Sequence, residues 1–411
     1  MYRVFLNRLS FFGLRGSASR TDTRKQLQNQ LLRCDAMVDV LKGVNLLESL
    51  KNSTELTRLS AIKDAVEDLL ISRLNLAVIG QRSEEKRAFT DSLLGVSAGD
   101  QGAACSSTAA AEDLRCYPNP VHPDFRLWDL PPVPAVSPFE PDLYMDAVKF
   151  LRYNVVFLTF TRTPPPSVAA LLLRASSLRL QTLYLTLLVC GKEEDLESTR
   201  KDSIEALKAL GVTQPKVYLV SPSALEALDF PALLEDLAKD LPEIRWYALL
   251  MALPTLTAAL VTQKKEAFGA LAWVAASLSA GISAVPVPLV ASAVDSSLAV
   301  RVLCKAQASL CLDDASVERL ARRRGREPAR LKALRVCPLS AQVTKAEVRR
   351  RLAAATAEKD CSALSSRLVQ MAMPRHARSA GRSFAAMLHA LNGAIADMAA
   401  DAENVLASAL A

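Results

Sequence analysis

The chain has 411 residues, half of them hydrophobic and 23% charged. That is enough for about two or three domains with a large core, and it excludes a disordered tail. Lys and Arg exceed Asp and Glu by 50 − 43 = 7, a mild excess that favours an anionic partner only where the charge is clustered. Aromatics are 5% and alanine and leucine dominate, so most of the chain is expected to be helical.

Residues 1–21 carry Arg3, Arg8, Arg15 and Arg20 among Phe5, Leu6, Leu9, Phe11, Phe12 and Leu14, with no acid before Asp22. This basic tail reads either as a surface-lying segment or as a targeting or membrane-surface helix. Residues 24–73 read as helices, because Leu27, Leu31, Val38 and Leu41, then Leu56, Leu59, Ile62, Val66 and Leu70 recur at helical spacing.

The pattern changes at Leu74–Ile79, a short apolar run closed by Gly80. A charged loop and a helix-like stretch, Phe89–Leu94, follow. Buried-strand runs recur at Phe125–Leu130, Asn154–Phe160, Leu183–Val189 and Val217–Val220, separated by helix-like segments at Asp142–Leu151, Pro166–Leu178, Leu196–Leu210 and Pro231–Leu241. Alternating strands and helices predict a mainly parallel sheet with right-handed crossovers. After Arg245 only helical periodicity remains, interrupted by Pro286, Pro288, Pro328 and Pro338. Ala267–Val294 holds 28 uncharged residues, which read as a helical hairpin buried in the α region or as a membrane-associated one.

Eight cysteines (Cys34, Cys105, Cys116, Cys190, Cys304, Cys311, Cys337 and Cys361) form no CxxC pair, and there are only three histidines, His122, His376 and His389. No zinc site, His-metal site or hydrolytic triad is expected, so no catalytic residue and no metal ligand is assigned. Scattered thiols point to a reducing, intracellular compartment.

A strand, then Gly80, then a helix is the setting of a phosphate-binding loop. The pattern GxxxxGK[ST] counted from Gly80 requires Gly, Lys and Ser or Thr, and finds Glu85, Lys86 and Arg87. Glu84 and Glu85 would set carboxylates beside a triphosphate, where two unit charges about 4 Å apart interact by about 4 kcal/mol at an effective dielectric near 20. Arg87 cannot supply the magnesium-binding hydroxyl. Lys86 therefore reads either as a phosphate lysine or as a solvated lysine at a helix start. Asp129 stands where a GTPase places the first residue of DxxG, or serves as a structural residue at a strand end; Pro132 replaces the glycine and has no N–H to donate. Gly191-Lys192-Glu193-Glu194 lies where N/TKxD reads a base, with Glu194 one methylene longer than the Asp, and Ser221-Pro222-Ser223 is compatible with a base-contacting loop.

These segments resemble an immunity-related GTPase, the interferon-inducible dynamin-like family. The resemblance is carried by LNLAVIG (74–80), SLLGV (92–96), YPNPVHPDFRLWDLP (117–131), KVYLVSPSALEALDFPALLEDLAKDLP (216–242) and AVPVPLVASAVD (284–295), and spans roughly residues 40–411. VTKAEVRRRL (343–352) and ADAENVL (400–406) are most similar to the Q-type branch, whose nucleotide motifs are degenerate. The resemblance implies an α/β P-loop GTPase-like G domain plus an all-α helical domain built from N- and C-terminal helices. It divides the chain into a tail (1–21), N-terminal helices (22–70), a G domain (71–245) and a C-terminal helical domain (246–411). It implies GTP or GDP with magnesium, homo- or hetero-oligomers through the G domain, protein partners, and action on intracellular membranes, in innate immunity and autophagy. Carried onto this chain, Gly80 and Lys86 would hold phosphate, Asp129 the magnesium shell, and Lys192, Glu194 and Ser221 the base. The departures at 85, 87, 132 and 194 point to a pseudo-GTPase; the alternative is a genuine GTPase with an unorthodox loop.

Two further segments have competing readings. Asp229-Phe230-Pro231-Ala232-Leu233 resembles a short autophagy ligand but reads more simply as a helix start that buries Phe230 and Leu233. Residues 322–351 hold eleven Lys and Arg against Glu327 and Glu347, which suits a solvated helical face or an anionic lipid surface. Nucleic acid is not expected, since no aromatics interleave with the basic residues.

Overall fold

A computed structural model describes the chain from Leu74 to Ala411, apart from residues 81–83, 98–99, 101–102, 105–113, 120, 123–124, 135–137, 162, 179–182, 190–195, 242, 284–287 and 358–374. The expected basic tail (1–21) and the expected N-terminal helices (22–70) lie outside the described residues.

Six strands form one sheet: β1 (Leu74–Ile79), β2 (Arg115–Pro118), β3 (Phe125–Leu130), β4 (Val155–Phe160), β5 (Leu183–Leu188) and β6 (Val217–Val220), in the order β2-β3-β1-β4-β5-β6. All neighbours are parallel except β2 with β3. The central strands are apolar on both faces, because helices cover both sides of a parallel sheet. β2 was not expected: its four residues, RCYP, alternate in burial at a sheet edge and give no apolar run.

Six helices wrap the sheet: α1 (Glu84–Leu94), α2 (Pro141–Ala147), α3 (Pro166–Ser177), α4 (Leu196–Ala209), α5 (Phe230–Asp240) and α6 (Glu243–Ala252). Phe89 and Leu93 of α1, Leu233 and Leu237 of α5 and Leu249 of α6 pack on the face formed by Leu76, Val78 and Phe157. Tyr144 of α2, Leu171 of α3 and Leu207 of α4 cover the opposite face, formed by Ala77, Ile79 and Leu158. α1 starts five residues before the expected stretch, since Glu84 to Arg87, read as loop, are good helix formers and the acids stand in the first turn. α2 is shorter than expected because Lys149 turns left-handed (φ 56°) before a single 3-10 turn, Phe150–Arg152.

The rest of the described chain is helical: α7 (Ala258–Ser283), α8 (Pro288–Ser309), α9 (Asp314–Arg323), α10 (Pro328–Lys332), α11 (Pro338–Ala341), α12 (Lys345–Ala357) and α13 (Arg375–Leu410). α7 and α8 are the two arms of the expected hairpin, and of the described residues Phe268, Leu271 and Ala275 of α7 pack with Leu298 and Val302 of α8 and with Met387, Leu391 and Ile395. Trp273 stacks edge-on against Phe384 of α13 at 5.5 Å. Among the described residues no helix is long and apolar enough to cross a membrane. Where α6 ends, Lys264 of α7 is fully buried and its ammonium donates to the Leu253 carbonyl (2.6 Å), Thr255 Oγ1 (3.2 Å) and the Ser309 carbonyl.

Candidate functional site

β1 lies between β3 and β4, so the chain winds in opposite directions on its two sides. Ligands of open α/β sheets bind at such a switch point, beyond the carboxyl ends of the strands. Gly80 follows β1 there, and the register Val78 to Asp129 and Ile79 to Leu130 brings the end of β3 alongside it. Three of the expected site residues, Gly80, Lys86 and Asp129, therefore meet at one end of the sheet.

Lys86 is in the first turn of α1 and is 4% exposed, so it is not a solvated lysine. Its ammonium lies 2.6 Å from Asp129 Oδ1 and donates to the carbonyls of Leu130 (2.8 Å) and Gly80 (3.1 Å). The cation thus bridges β1, β3 and α1 through oxygens of the chain itself.

Gly80 has a reason of its own. A methyl at this position would come within 2.6 Å of the Thr159 carbonyl oxygen in β4, and it would overlap the Thr159 hydroxyl, which donates to the Ile79 carbonyl at 2.9 Å. The glycine is needed for strand packing whatever sits above it.

The segment after Asp129 is pinned. The Tyr144 hydroxyl donates to the Pro131 carbonyl at 2.7 Å, Val133 is buried, and burial raises the Tyr144 pKa so that the hydroxyl remains a donor. Ser221 opens the loop after β6 and its carbonyl accepts from the Ala224 N–H at 3.3 Å. Lys192 and Glu194 lie outside the described residues.

Several other buried groups carry no motif, and the β2–β3 turn among them lies at the opposite end of the sheet, beside the start of β3. Asp91 is buried in α1 and its Oδ1 accepts from the Ala104 N–H at 2.5 Å. Asn119 is buried, donates to the Ala252 carbonyl at 3.2 Å and accepts from the N–H groups of Val121 and His122, both at 2.9 Å, which ties the β2–β3 turn to α6. His122 is pushed down to about 3 by burial and by the cations of Lys305 and Lys264, so it stays neutral and is no acid–base group near pH 7. An Asn-x-x-His spacing in a turn was the only hint of this anchor in the sequence.

Phe230 and Leu233 are buried, as the helix-start reading required, and Asp229 accepts from Arg200 (2.5 Å) and the Leu219 N–H (2.9 Å). Of the basic run 322–351, Lys332 pairs with Glu318, Arg335 with Asp314, Arg350 with Glu347, and Arg351 with Glu347 and Asp397. Arg322 pairs with Asp100, Arg324 with Glu226, and Arg323 bonds Ser92 and Ser223. Seven of the eleven cations therefore have partners inside the chain.

Among the described residues no group of His, Cys, Asp and Glu is arranged to hold a metal ion. Position 87 offers no hydroxyl, position 132 no N–H, Glu84 and Glu85 occupy the helix N-terminus that would face phosphate, and Lys86 is already tied to Asp129.

A switch-point phosphate-loop scaffold on a β2-β3-β1-β4-β5-β6 sheet, followed by a helical region, defines a GTPase-type G-domain protein. A family model described as Interferon-inducible GTPase (IIGP) matches residues 41–161 and 188–408, and the chain belongs to this family. It is 29% identical over 396 residues to Interferon-inducible GTPase 5 of Bos taurus, covering 90% of this chain and 83% of that protein. It is likewise 29% identical over 396 residues to Interferon-inducible GTPase 5 of Rattus norvegicus, covering 90% and 84%. Interferon-inducible GTPase 1 of Mus musculus is 26% identical over 242 residues, 54% of this chain and 58% of that protein.

Proposed function

We propose that this member of the family is a pseudo-GTPase of the Q-type branch, with weak or no GTP hydrolysis, whose G domain serves as a scaffold for protein partners. The observation that carries this reading is the state of Lys86. Its ammonium is bonded to Asp129, Leu130 and Gly80, so phosphate binding would have to break an internal ion pair while facing Glu84 and Glu85. On the same reading Gly80, Lys86 and Asp129 form the vestigial phosphate end, Lys192, Glu194 and Ser221 the base end, and the chain divides at residues 21, 70 and 245. The test is calorimetric titration of GTP and GDP, with magnesium, into the whole chain. No heat up to millimolar nucleotide is expected. Micromolar binding with turnover abolished by Lys86→Ala would overturn the reading.

The alternative is a genuine GTP-binding GTPase acting on intracellular membranes. It is favoured by the survival of the lysine and the strand-end aspartate at the switch point, and the same titration decides between the two.

The names of the relatives support a role in interferon-linked innate immunity. Peripheral, intracellular association with an anionic membrane rests on the basic tail 1–21 and on the remaining cations Arg326, Arg330, Lys345 and Arg349. Flotation with anionic but not neutral liposomes at low salt is the expected result; no flotation removes the membrane from the reading, and with it a membrane-based role in autophagy.

A further inference from the structure

We propose that the arginine end of α9 is a latch that couples the Lys86 end of the sheet to the helical region. α9 has two unlike parts. Its inner face, Val317 and Ala321, packs with Leu331 of α10 against Val405 and Ala409 near the end of α13. Its last turn carries Arg322 and Arg323, with Arg324 just beyond, and the three grip different points on the sheet-bearing part. Arg322 pairs with Asp100 at 3.0 Å. Arg323 donates to Ser92 Oγ at 3.0 Å and to the Ser223 carbonyl at 2.7 Å. Arg324 pairs with Glu226 in the same loop as Ser223.

α9 is built as a stiff connector. Asp313 caps its start, accepting from the Ser316 N–H at 3.0 Å. Gly325, at φ 62°, ends it, and the Arg326 N–H closes back on the Ala321 carbonyl at 2.8 Å. Lys332–Glu318 and Arg335–Asp314 brace α10 against it. A displacement at the arginines is therefore passed to α13 rather than absorbed between α9 and α10.

Ser92 is the pivot. Its hydroxyl donates to the Pro222 carbonyl at 2.6 Å and accepts from Arg323. It stands in the last turn of α1, about 9 Å along the axis from Lys86 in the first turn. Phe89 and Leu93, both buried, lock the helix between these ends, so α1 moves as a unit. Any shift of α1 that parts Lys86 from Asp129 draws Ser92 from between Arg323 and Pro222. Packed elements have discrete positions rather than a continuum, and coupling between two such contacts is reciprocal. The latch requires no bound nucleotide.

The test is hydrogen exchange, read by mass spectrometry, on the full chain and on Ser92→Ala, Arg323→Ala and Asp129→Asn. Arg323→Ala and Ser92→Ala are expected to speed exchange about fivefold or more in 221–229 and 313–335, and also at the far end, in 125–133. Asp129→Asn is expected to speed 313–335 in return. Arg324→Glu should do the same locally, and adding Glu226→Arg should restore the slow rates. Exchange in 391–406 reports loosening of the whole chain; if Asp129→Asn changes it, Ser92→Ala, which removes a single oxygen, remains decisive. The proposal is overturned if the Ser92 and Arg323 variants leave 125–133 at parent rates.

Discussion

The ammonium of Lys86 stands 2.6 Å from Oδ1 of Asp129, and the side chains are only 5% and 19% exposed. In a phosphate loop the lysine works on a ligand; here it neutralises a carboxylate and two carbonyls of its own fold. Lys86→Met should therefore destabilise the nucleotide-free protein by about 2–4 kcal/mol, because the carboxylate is left buried and unpaired. Asp129→Asn should cost less, since an amide oxygen still accepts. Urea unfolding without nucleotide or magnesium reads both; an unchanged midpoint for Lys86→Met would mean that the contact contributes nothing in the free protein.

Gly80 is expected to be a packing residue first. Gly80→Ala drives a methyl against the backbone of Thr159 in the central strand β4, where neither partner has room to yield. A loss of about 1–3 kcal/mol is expected, the usual range for overpacking a core. Gly80→Ala combined with Thr159→Ala, which removes the overlapping hydroxyl, should remain as unstable, because the clash includes the Thr159 carbonyl; recovery in the double variant would show that only the side chain matters.

Much of the sheet was legible because its strands are short, mainly apolar runs bounded by turn residues or helix-like segments. Leu74–Ile79, Phe125–Leu130 and Val217–Val220 end where the runs end. The edge strand β2 was not legible, since a four-residue strand with two exposed positions has no signature apart from its partner. At the site, strand-turn-helix spacing located Gly80, Lys86 and Asp129. What they touch depends on contacts between distant residues, such as Lys86 with Leu130 and Gly80 with Thr159. The same holds for Arg322 to Arg324. A run of three arginines reads as a solvated or lipid-facing surface, and nothing local points to Ser92, 231 residues away.

Lys264 is a buried cation whose partners among the described residues are the carbonyls of Leu253 and Ser309 and the Thr255 hydroxyl, none of them a carboxylate. These carbonyls lie at the ends of α6 and α8, where helices leave acceptors unpaired. Lys264→Met keeps the bulk but orphans the Leu253 carbonyl and leaves the Ser309 carbonyl with only the Thr255 hydroxyl, and should cost about 2–4 kcal/mol. Thr255→Val removes the hydroxyl that accepts from Lys264 and donates to the Ser309 carbonyl, while the ammonium keeps both carbonyls, and should cost about 1 kcal/mol. Chemical unfolding of the two variants measures the difference; equal losses would show that shape rather than hydrogen bonding holds this junction.

Asp295 supplies a pH signature. Burial in α8 raises its carboxyl to about 6 from 3.8, and the nearby Ser279 hydroxyl only partly opposes this. A group whose pKa is raised on folding binds its proton more tightly in the native state. Its contribution is fully present below 3.8 and is lost as pH rises through about 6, so Asp295 should destabilise the neutral-pH protein. Two units correspond to about 3 kcal/mol at most, and solvent near the half-buried side chain reduces this to about 1–2 kcal/mol. Asp295→Asn should therefore raise the midpoint of urea unfolding at pH 7.5 and have little effect at pH 4, flattening the fall in stability between pH 4 and 6.5. A parent-like slope across that interval in the Asn variant would assign the fall to other groups.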